Sequence, residues 1–589
     1  MLCRTQRIPP CSLHWNNLLS RPPAAFAPVP LSQSPCSRTF VWTLRKRQDA
    51  DVIRYLLSSS PARRSRDDDS ETVPIRPKFF YHSQLQTTGV PPHGISENEI
   101  KVAGLIQSIR KQKKATFAQV SDGSTLEPLQ AVLSPEQATG ITNGAYVLLV
   151  GVWQKSLGKG QSHELHVRRV EAIGPSDPEQ NPIQKKYQSQ EYLRTLPHLR
   201  IRVPFHSLVA RARGTLTSIL TQQFAGKGAV QVHPPIITSS DCEGAGEVFA
   251  ISPQTALEGA AAGKESSQYF REPKYLTVSS QLHLEAYSAE LGDVFALSPT
   301  FRAEESDTPR HLSEFYMLEV EYRRIGKLEQ LCKLVEHRLT GTVRSFRESQ
   351  AGRELLQYYA EHKSPGADDV IDLENRWSKL EAGRLGYRHI WHQSAVRQLL
   401  EADAAYNGTL FKTKPTYTTG LQLEHERWIV ENVGTGAPVF VLHYPESAKP
   451  FYMLPSNAQM APLRDYSDPG VQTVACFDLL LPFNYGEVAG GSLREHRLEN
   501  LISTMRERGM LKQRDPIKSK HSKDSQPYPF LRPDEDLGNL KWYADLRRFG
   551  TSQHGGFGLG FDRLLAYLVG VSNVRDVVAF PRTWRRADC

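Results

Sequence analysis

Residues 301–322, "FRAEESDTPRHLSEFYMLEVEY", constrain this chain more than any other stretch. Alternation at both ends reads as two strands, and the charged, Pro-containing centre reads as the turn that joins them. The expected hairpin carries Arg302, Glu304, Arg310, His311 and Phe315 within fourteen residues. Arg302 and Arg310 offer planar donors that match phosphate oxygens. Phe315 offers a ring face on which a purine can stack. An adenine nucleotide needs this combination.

A second, distant stretch supports that reading. "GGFGLGFDR" has glycines at 556, 558 and 560, then Arg563. The GK[ST] ending of a P-loop is absent, and the spacing does not fit the dinucleotide fingerprint. Alternating glycines let a ligand or another strand cross a strand closely. Arg563 then opens "LLAYLVG", an expected helix, and helix N-termini and arginine both favour anions.

The chain falls into segments of different character. Residues 1–48 hold seven Lys/Arg and no Asp or Glu, which leaves only +2 of the +9 net charge for the rest. An Arg- and Ser-rich, acid-free leader reads as an organelle transit peptide, with the mitochondrion expected. Residues 49–95 mix Ser, Pro and charge and read as linker. Short alternating runs then give about five strands over residues 96–175, the size of an all-β OB-fold barrel. Residues 176–200 read as a hinge. Residues 201–589 mix helices and strands in an α+β pattern, and the polar, Pro-rich stretch 511–536 reads as an exposed insertion. The seven cysteines form no CxxC pair, so neither a disulfide framework nor a zinc site is expected. No apolar run is long enough to span a bilayer, and no membrane insertion is expected.

Together these pieces resemble the class II aminoacyl-tRNA synthetases. That family's fRxE strand-loop-strand matches Phe301–Glu304 onward, and its GxGxGxxR matches Gly556–Arg563. Its helix-and-strand motif, ending in a proline at a dimer interface, matches residues 208–235 with Pro235. The resemblance covers about 97–589. It implies an antiparallel sheet flanked by helices, preceded by an anticodon-binding OB-fold barrel as in the aspartate-like subgroup, and a homodimer.

The same resemblance implies the site roles. Arg302 contacts the α-phosphate of ATP, and Phe315 and Arg563 clamp the adenine from its two faces. Arg563 also reaches the γ-phosphate, helped by Arg310 and His311. Gly556, Gly558 and Gly560 belong to the ATP site, and Arg302, Glu304 and Arg563 form the catalytic set. Asp478 and Glu487 resemble the carboxylates that hold Mg2+. The implied chemistry is adenylation of an amino acid followed by transfer to the 3′ end of tRNA. It needs positioning and charge stabilisation rather than a protein nucleophile.

"SDCEGAGEVF", "LQLEHERW", "FDLLLP", "GGSLREHR" and "NVRDVVAFPR" narrow the resemblance to the asparaginyl-tRNA synthetases. L-asparagine, ATP and tRNA(Asn) are then the expected partners, in the mitochondrial matrix. Gln281 resembles the family glutamine on the bound amino acid. Aspartyl enzymes place a lysine three residues later, where this chain has Leu284. An unpaired Glu319 would accept from a carboxamide NH₂ and repel a carboxylate. Arg494 would donate to the side-chain oxygen, and Glu243 would take the α-ammonium. In the barrel, Phe117 resembles the aromatic on which an anticodon base stacks, Gln130 a neighbouring base reader, and Arg110 a phosphate contact. Two departures from the pattern are Ser280, where glycine is common, and Asp562, where glutamate is usual. The alternatives are an aspartyl enzyme, including a non-discriminating one, and a synthetase-like RNA-binding protein without catalysis.

Overall fold

The computed structural model describes residues 78–88, 99–158, 160–183, 186–239, 247–252, 269–270, 272–362, 372–381, 386–456, 471–514 and 528–589. The leader at 1–48 lies outside the described residues.

The first body is the barrel. Strands β2 (Ile100–Lys111), β3 (Thr116–Ser121), β4 (Leu129–Leu133), β5 (Tyr146–Lys155) and β6 (His163–Gly174) follow short β1 (Lys78–Phe79) and helix α1 (His82–Thr88). Pairing of β2 with β5 as well as with β3 closes the sheet. Alternate residues point inward: Ile100, Val102, Ile106, Ala118, Val120, Leu129, Ala131, Val147 and Leu149 are buried in one cluster. Leu85 of α1 joins that cluster, and the His82 backbone N–H donates to Asp122 at 2.6 Å. Part of the stretch read as linker is therefore folded onto the barrel. Its one buried leucine and its capped first turn do not register as a periodic pattern in so short a segment.

The end of the hinge is tied to the second body. Arg194 grips Asp576 with two hydrogen bonds, at 2.8 and 2.7 Å. Buried Arg200 donates to the carbonyls of Arg575 and Ala579.

The second body is built on an eight-stranded sheet. Its strands are β7 (Val230–Gln231), β8 (Val294–Phe301), β9 (Glu314–Arg323), β10 (Arg388–Trp391), β11 (Val439–Leu442), β12 (Cys476–Leu481), β13 (Gly486–Leu493) and β14 (His554–Gly560). They lie in the order β10-β11-β12-β13-β14-β9-β8-β7. The six central strands pair antiparallel, and the two outermost pairings, β10 with β11 and β7 with β8, are parallel.

Helices α2 (Pro204–Ala225), α4 (Leu328–Glu348) and α7 (Phe561–Val569) cover one face of the sheet. Their apolar stripes, including Leu216, Leu220, Val335, Leu339, Leu564 and Leu568, bury with Leu318, Val320, Phe557 and Leu559 of the strands. The period of two then sends Phe315, Met317, Glu319 and Glu321 to the other face, where a cavity lies. Helices α3 (Gln281–Leu291), α5 (Leu423–Asn432) and α6 (Lys541–Arg548) stand around that face.

The stretch 511–536 begins and ends in a paired base, Lys512–Gln513 against Glu535–Asp536. Residues 515–527 between them lie outside the described residues. Among the described residues no helix is long and apolar enough to cross a membrane.

Candidate active site

A cavity of about 400 Å³ opens on the sheet face opposite those helices. The expected hairpin is present: β8 and β9 pair in register from Val294 with Glu321 to Phe301 with Glu314, and residues 302–313 form the loop. Arg302, Glu304, Arg310, His311 and Phe315 all line the cavity, with Glu487, Gly558, Gly560 and Arg563.

At the hairpin end the cations are already oriented. The Arg302 guanidinium lies 5.8 Å from the Phe315 ring centre. Glu304 sits between Arg302 (3.8 Å) and His311 (3.3 Å), so one carboxylate holds both loop bases. Burial lowers the pKa of His311, and the Arg563, Arg310 and Arg302 charges add to that against the pull of Glu304. Arg563 Nη1 donates to the Glu487 carbonyl at 2.9 Å. Asp562 bridges Arg213 of α2 and the Tyr316 backbone N–H of β9. It therefore anchors the helix that carries Arg563, and an acid shorter than the usual glutamate serves that purpose here.

Three acids face these cations. A side chain at Gly490 would touch Asp478 Oδ1 and Glu487 Oε1, each at 3.3 Å, so the two carboxylates converge there. Such hard oxygen donors suit magnesium. Lys449 holds both oxygens of Asp478 at 2.7 Å and lies 4.1 Å from the Tyr444 ring centre. Burial disfavours the Lys449 charge, but Asp478 outweighs it and the ammonium is kept. Burial likewise opposes ionisation of Glu487, and Arg563, Lys449, Arg302 and Arg310 overcome it, so its pKa falls. Glu426 of α5 is the third acid. It accepts from the Glu487 backbone N–H at 3.1 Å and lies 3.7 Å from Arg310. Burial and the Glu487 charge push its pKa up to about 7.

At the other end Gln281, Leu284, Glu319 and Arg494 line the wall. One expectation is corrected here. Glu319 is not unpaired. It accepts from the Ser279 hydroxyl at 2.5 Å, from the Ser280 backbone N–H at 3.1 and 3.0 Å, and from the Ser280 hydroxyl. Ser280 precedes α3, so the acid satisfies a free N–H at a helix start, where negative charge is favoured. All of these partners are neutral groups. Arg494 already has partners on this side: Glu321 takes Nε and Nη2, and Ser492 takes Nη1 at 2.6 Å.

A second correction concerns Gly556, which does not line the cavity. A Cβ there would collide with Glu321 and the Val320 carbonyl and reach Arg494 at 2.9 Å. Glycine here leaves room for the Glu321–Arg494 ion pair. Glu243 lies outside the described residues.

Glu285, Glu321, Glu426, Lys449, Tyr543, Arg547 and His554 did not emerge from the sequence as site residues. Two of them carried a local signal. Glu285 follows Gln281 by four positions on one helix face, and Glu321 follows Glu319 by two on one strand face.

On the barrel, Phe117 of β3 alternates with the buried Thr116 and Ala118 and is only half buried, so it lies off the barrel core. Its register partner Arg110 is exposed. Gln130 stands opposite Gln119 and donates to Glu164 at 2.8 Å. Pro235 is exposed, next to exposed Ile236 and Ile237.

Comparison with known proteins matches this architecture. The family model "tRNA synthetases class II (D, K and N)" covers residues 189–584, and the model "OB-fold nucleic acid binding domain" covers residues 100–173. The mitochondrial asparagine–tRNA ligase of Saccharomyces cerevisiae is 34% identical over 528 residues, covering 86% of this chain and 96% of the yeast protein. That of Schizosaccharomyces pombe is 36% identical over 513 residues, with 86% and 98% covered. The crystal structure of asparaginyl-tRNA synthetase from Pyrococcus horikoshii complexed with asparaginyl-adenylate superposes with a TM-score of 0.66. It shares 26% identity and covers 86% of this chain and 98% of its own. The chain belongs to the asparaginyl-tRNA synthetases, within the class II tRNA synthetase family.

Proposed function

We propose that this protein is an asparagine–tRNA ligase of mitochondrial translation. It joins asparagine to AMP with release of pyrophosphate, then transfers the asparaginyl group to the 3′ end of tRNA(Asn). The asparagine carboxylate attacks the α-phosphorus, a phosphorus–oxygen bond forms, and the bond to pyrophosphate breaks. Arg302 stabilises the charge that develops on the α-phosphate, and Arg310, His311 and Arg563 hold the outer phosphates. Asp478 and Glu487 would hold Mg2+, which when bound neutralises phosphate charge. In the second step the tRNA ribose oxygen attacks the acyl carbon and AMP leaves.

The choice of asparagine rests on one observation. Glu319 faces the cavity as an acid whose hydrogen-bond partners are serine hydroxyls and a backbone N–H. Leu284 stands where a lysine would pair with it. A carboxamide NH₂ can donate to that acid and a carboxylate cannot, so the wrong substrate leaves buried groups unmatched. ATP–pyrophosphate exchange with asparagine and with aspartate tests the reading. Asparagine alone should support exchange, and equal exchange with aspartate would defeat it.

The acid-free leader, together with relatives named mitochondrial, supports import into the matrix with residues 1–48 as transit peptide. Exposed Pro235, Ile236 and Ile237 at the β7 edge support a homodimer interface. Phe117, Gln130 and Arg110 form the anticodon-reading face.

A further inference from the structure

The amino-acid end of the cavity rests on buried charges that substrate contact alone leaves unexplained. Glu285 of α3 is fully enclosed. Its Oε2 accepts from Arg547 Nη2 at 2.6 Å, Tyr543 Oη at 2.8 Å and His554 Nε2 at 3.1 Å. Its Oε1 accepts from the Gln281 amide nitrogen at 3.1 Å and lies 3.9 Å from Arg494 Nε. These donors come from α3, α6, β14 and the segment after β13. Of these residues only Gln281 and Arg494 reach the cavity wall.

Glu285 and Glu321 face two guanidiniums, Arg494 and Arg547, all nearly inaccessible to water, and Glu285 also meets the His554 ring. Burial opposes ionisation of Glu285, but Arg547, His554 and Arg494 overcome it and its pKa falls. Glu285, Glu321 and His554 converge as a metal cluster would, yet two guanidiniums already take their acceptors.

We propose that Glu285 is a positioning residue for amino-acid recognition, an inference that rests on the asparagine reading. It acts through the two cavity residues that touch it. Gln281 gives its amide nitrogen to Glu285, so its carbonyl oxygen faces the ligand as an acceptor for the α-ammonium. Arg494 is held between Glu285 and Glu321, which fixes the plane of its guanidinium. Glu321 and Ser492 take three of its five N–H groups, and the other two are left for the ligand's side-chain oxygen. Glu285 also sets the charge behind the pocket. Removing it takes one negative charge from the cluster and makes the surroundings of the substrate side chain more positive, which favours a carboxylate over a carboxamide.

The test is ATP–pyrophosphate exchange with the full chain and with Glu285→Gln and Tyr543→Phe, varying asparagine, aspartate and ATP separately. Tyr543→Phe removes one donor to Glu285 and does not line the cavity. Glu285→Gln should raise KM for asparagine at least tenfold with KM for ATP unchanged. It should also lower the asparagine-to-aspartate ratio of kcat/KM at least tenfold. Tyr543→Phe should raise KM for asparagine two- to threefold. A folded Glu285→Gln variant with unaltered asparagine KM and unaltered ratio would overturn the proposal, as would parallel rises in both KM values. If Glu285→Gln does not fold, the Tyr543→Phe result decides alone: a selective rise supports the proposal and no rise overturns it. Failure of the asparagine reading itself would appear separately, as a wild-type chain whose exchange does not depend on asparagine.

Discussion

Glu321 and Arg494 meet at 2.9 Å in the space that a side chain at position 556 would occupy. Glu321 on β9 can reach Arg494, just past β13, across the intervening β14 because β14 has no Cβ there. Gly556→Ala should therefore displace the pair and unsettle the amino-acid end of the cavity. Overpacking of this kind costs about 1–3 kcal/mol, and loosening a buried ion pair adds to it. The expected outcome is a lower Tm together with a rise in KM for asparagine larger than that for ATP. Thermal melting and exchange kinetics measure the two effects independently.

Arg302 lines the cavity, beside Phe315 and Glu304. Arg302→Ala should lower the rate of adenylation by about 10²–10³, the usual effect of losing one donor that meets developing charge. Binding of tRNA, measured by filter retention or fluorescence, should stay within about twofold, because the barrel is untouched. Joint loss of both would point to misfolding instead.

Phe117 is half buried on the outer face of β3 and pairs in register with exposed Arg110. A stacked base is worth about 1–3 kcal/mol. Phe117→Ala should raise KM for tRNA about tenfold and leave asparagine-dependent pyrophosphate exchange unchanged. Aminoacylation at limiting tRNA is the measurement, and an unchanged rate would remove Phe117 from the anticodon face.

His206 of α2 is buried, and burial, with help from Arg200, lowers its pKa to about 4 against an ordinary 6.5. Above pH 6.5 both folded and unfolded chains hold it neutral. As pH falls from 6.5 toward 4 the unfolded chain takes up a proton that the folded chain refuses, so stability is lost over that window. At pH 5 the loss from this one group is about 2 kcal/mol. His206→Gln should remove that part of the acid dependence. Urea unfolding at pH 7 and pH 5 should show a smaller drop for the variant by about this amount.

Much of this site is legible in the amino-acid sequence. The hairpin, the Gly-rich strand and the barrel announce themselves because strand periodicity is local and each motif spans few residues. On β9, Met317 faces the cavity and its neighbour Leu318 the core, because the period of two separates them. Local pattern also misleads. All three glycines of the 556–560 run look alike in sequence, yet only Gly558 and Gly560 face the cavity.

By itself, then, the amino-acid sequence determined the domain order, the sheet-forming hairpin and the set of arginines that line the cavity, since each depends on residue type and short-range spacing. Only the tertiary structure decided how the buried charges pair. Glu319 finds Ser280 across 39 positions, Glu285 finds Arg547 across 262, and Arg494 finds Glu321 across 173. A charge taken out of water must be matched by whatever group the fold brings within about 3 Å, and that partner is chosen by packing rather than by proximity along the chain.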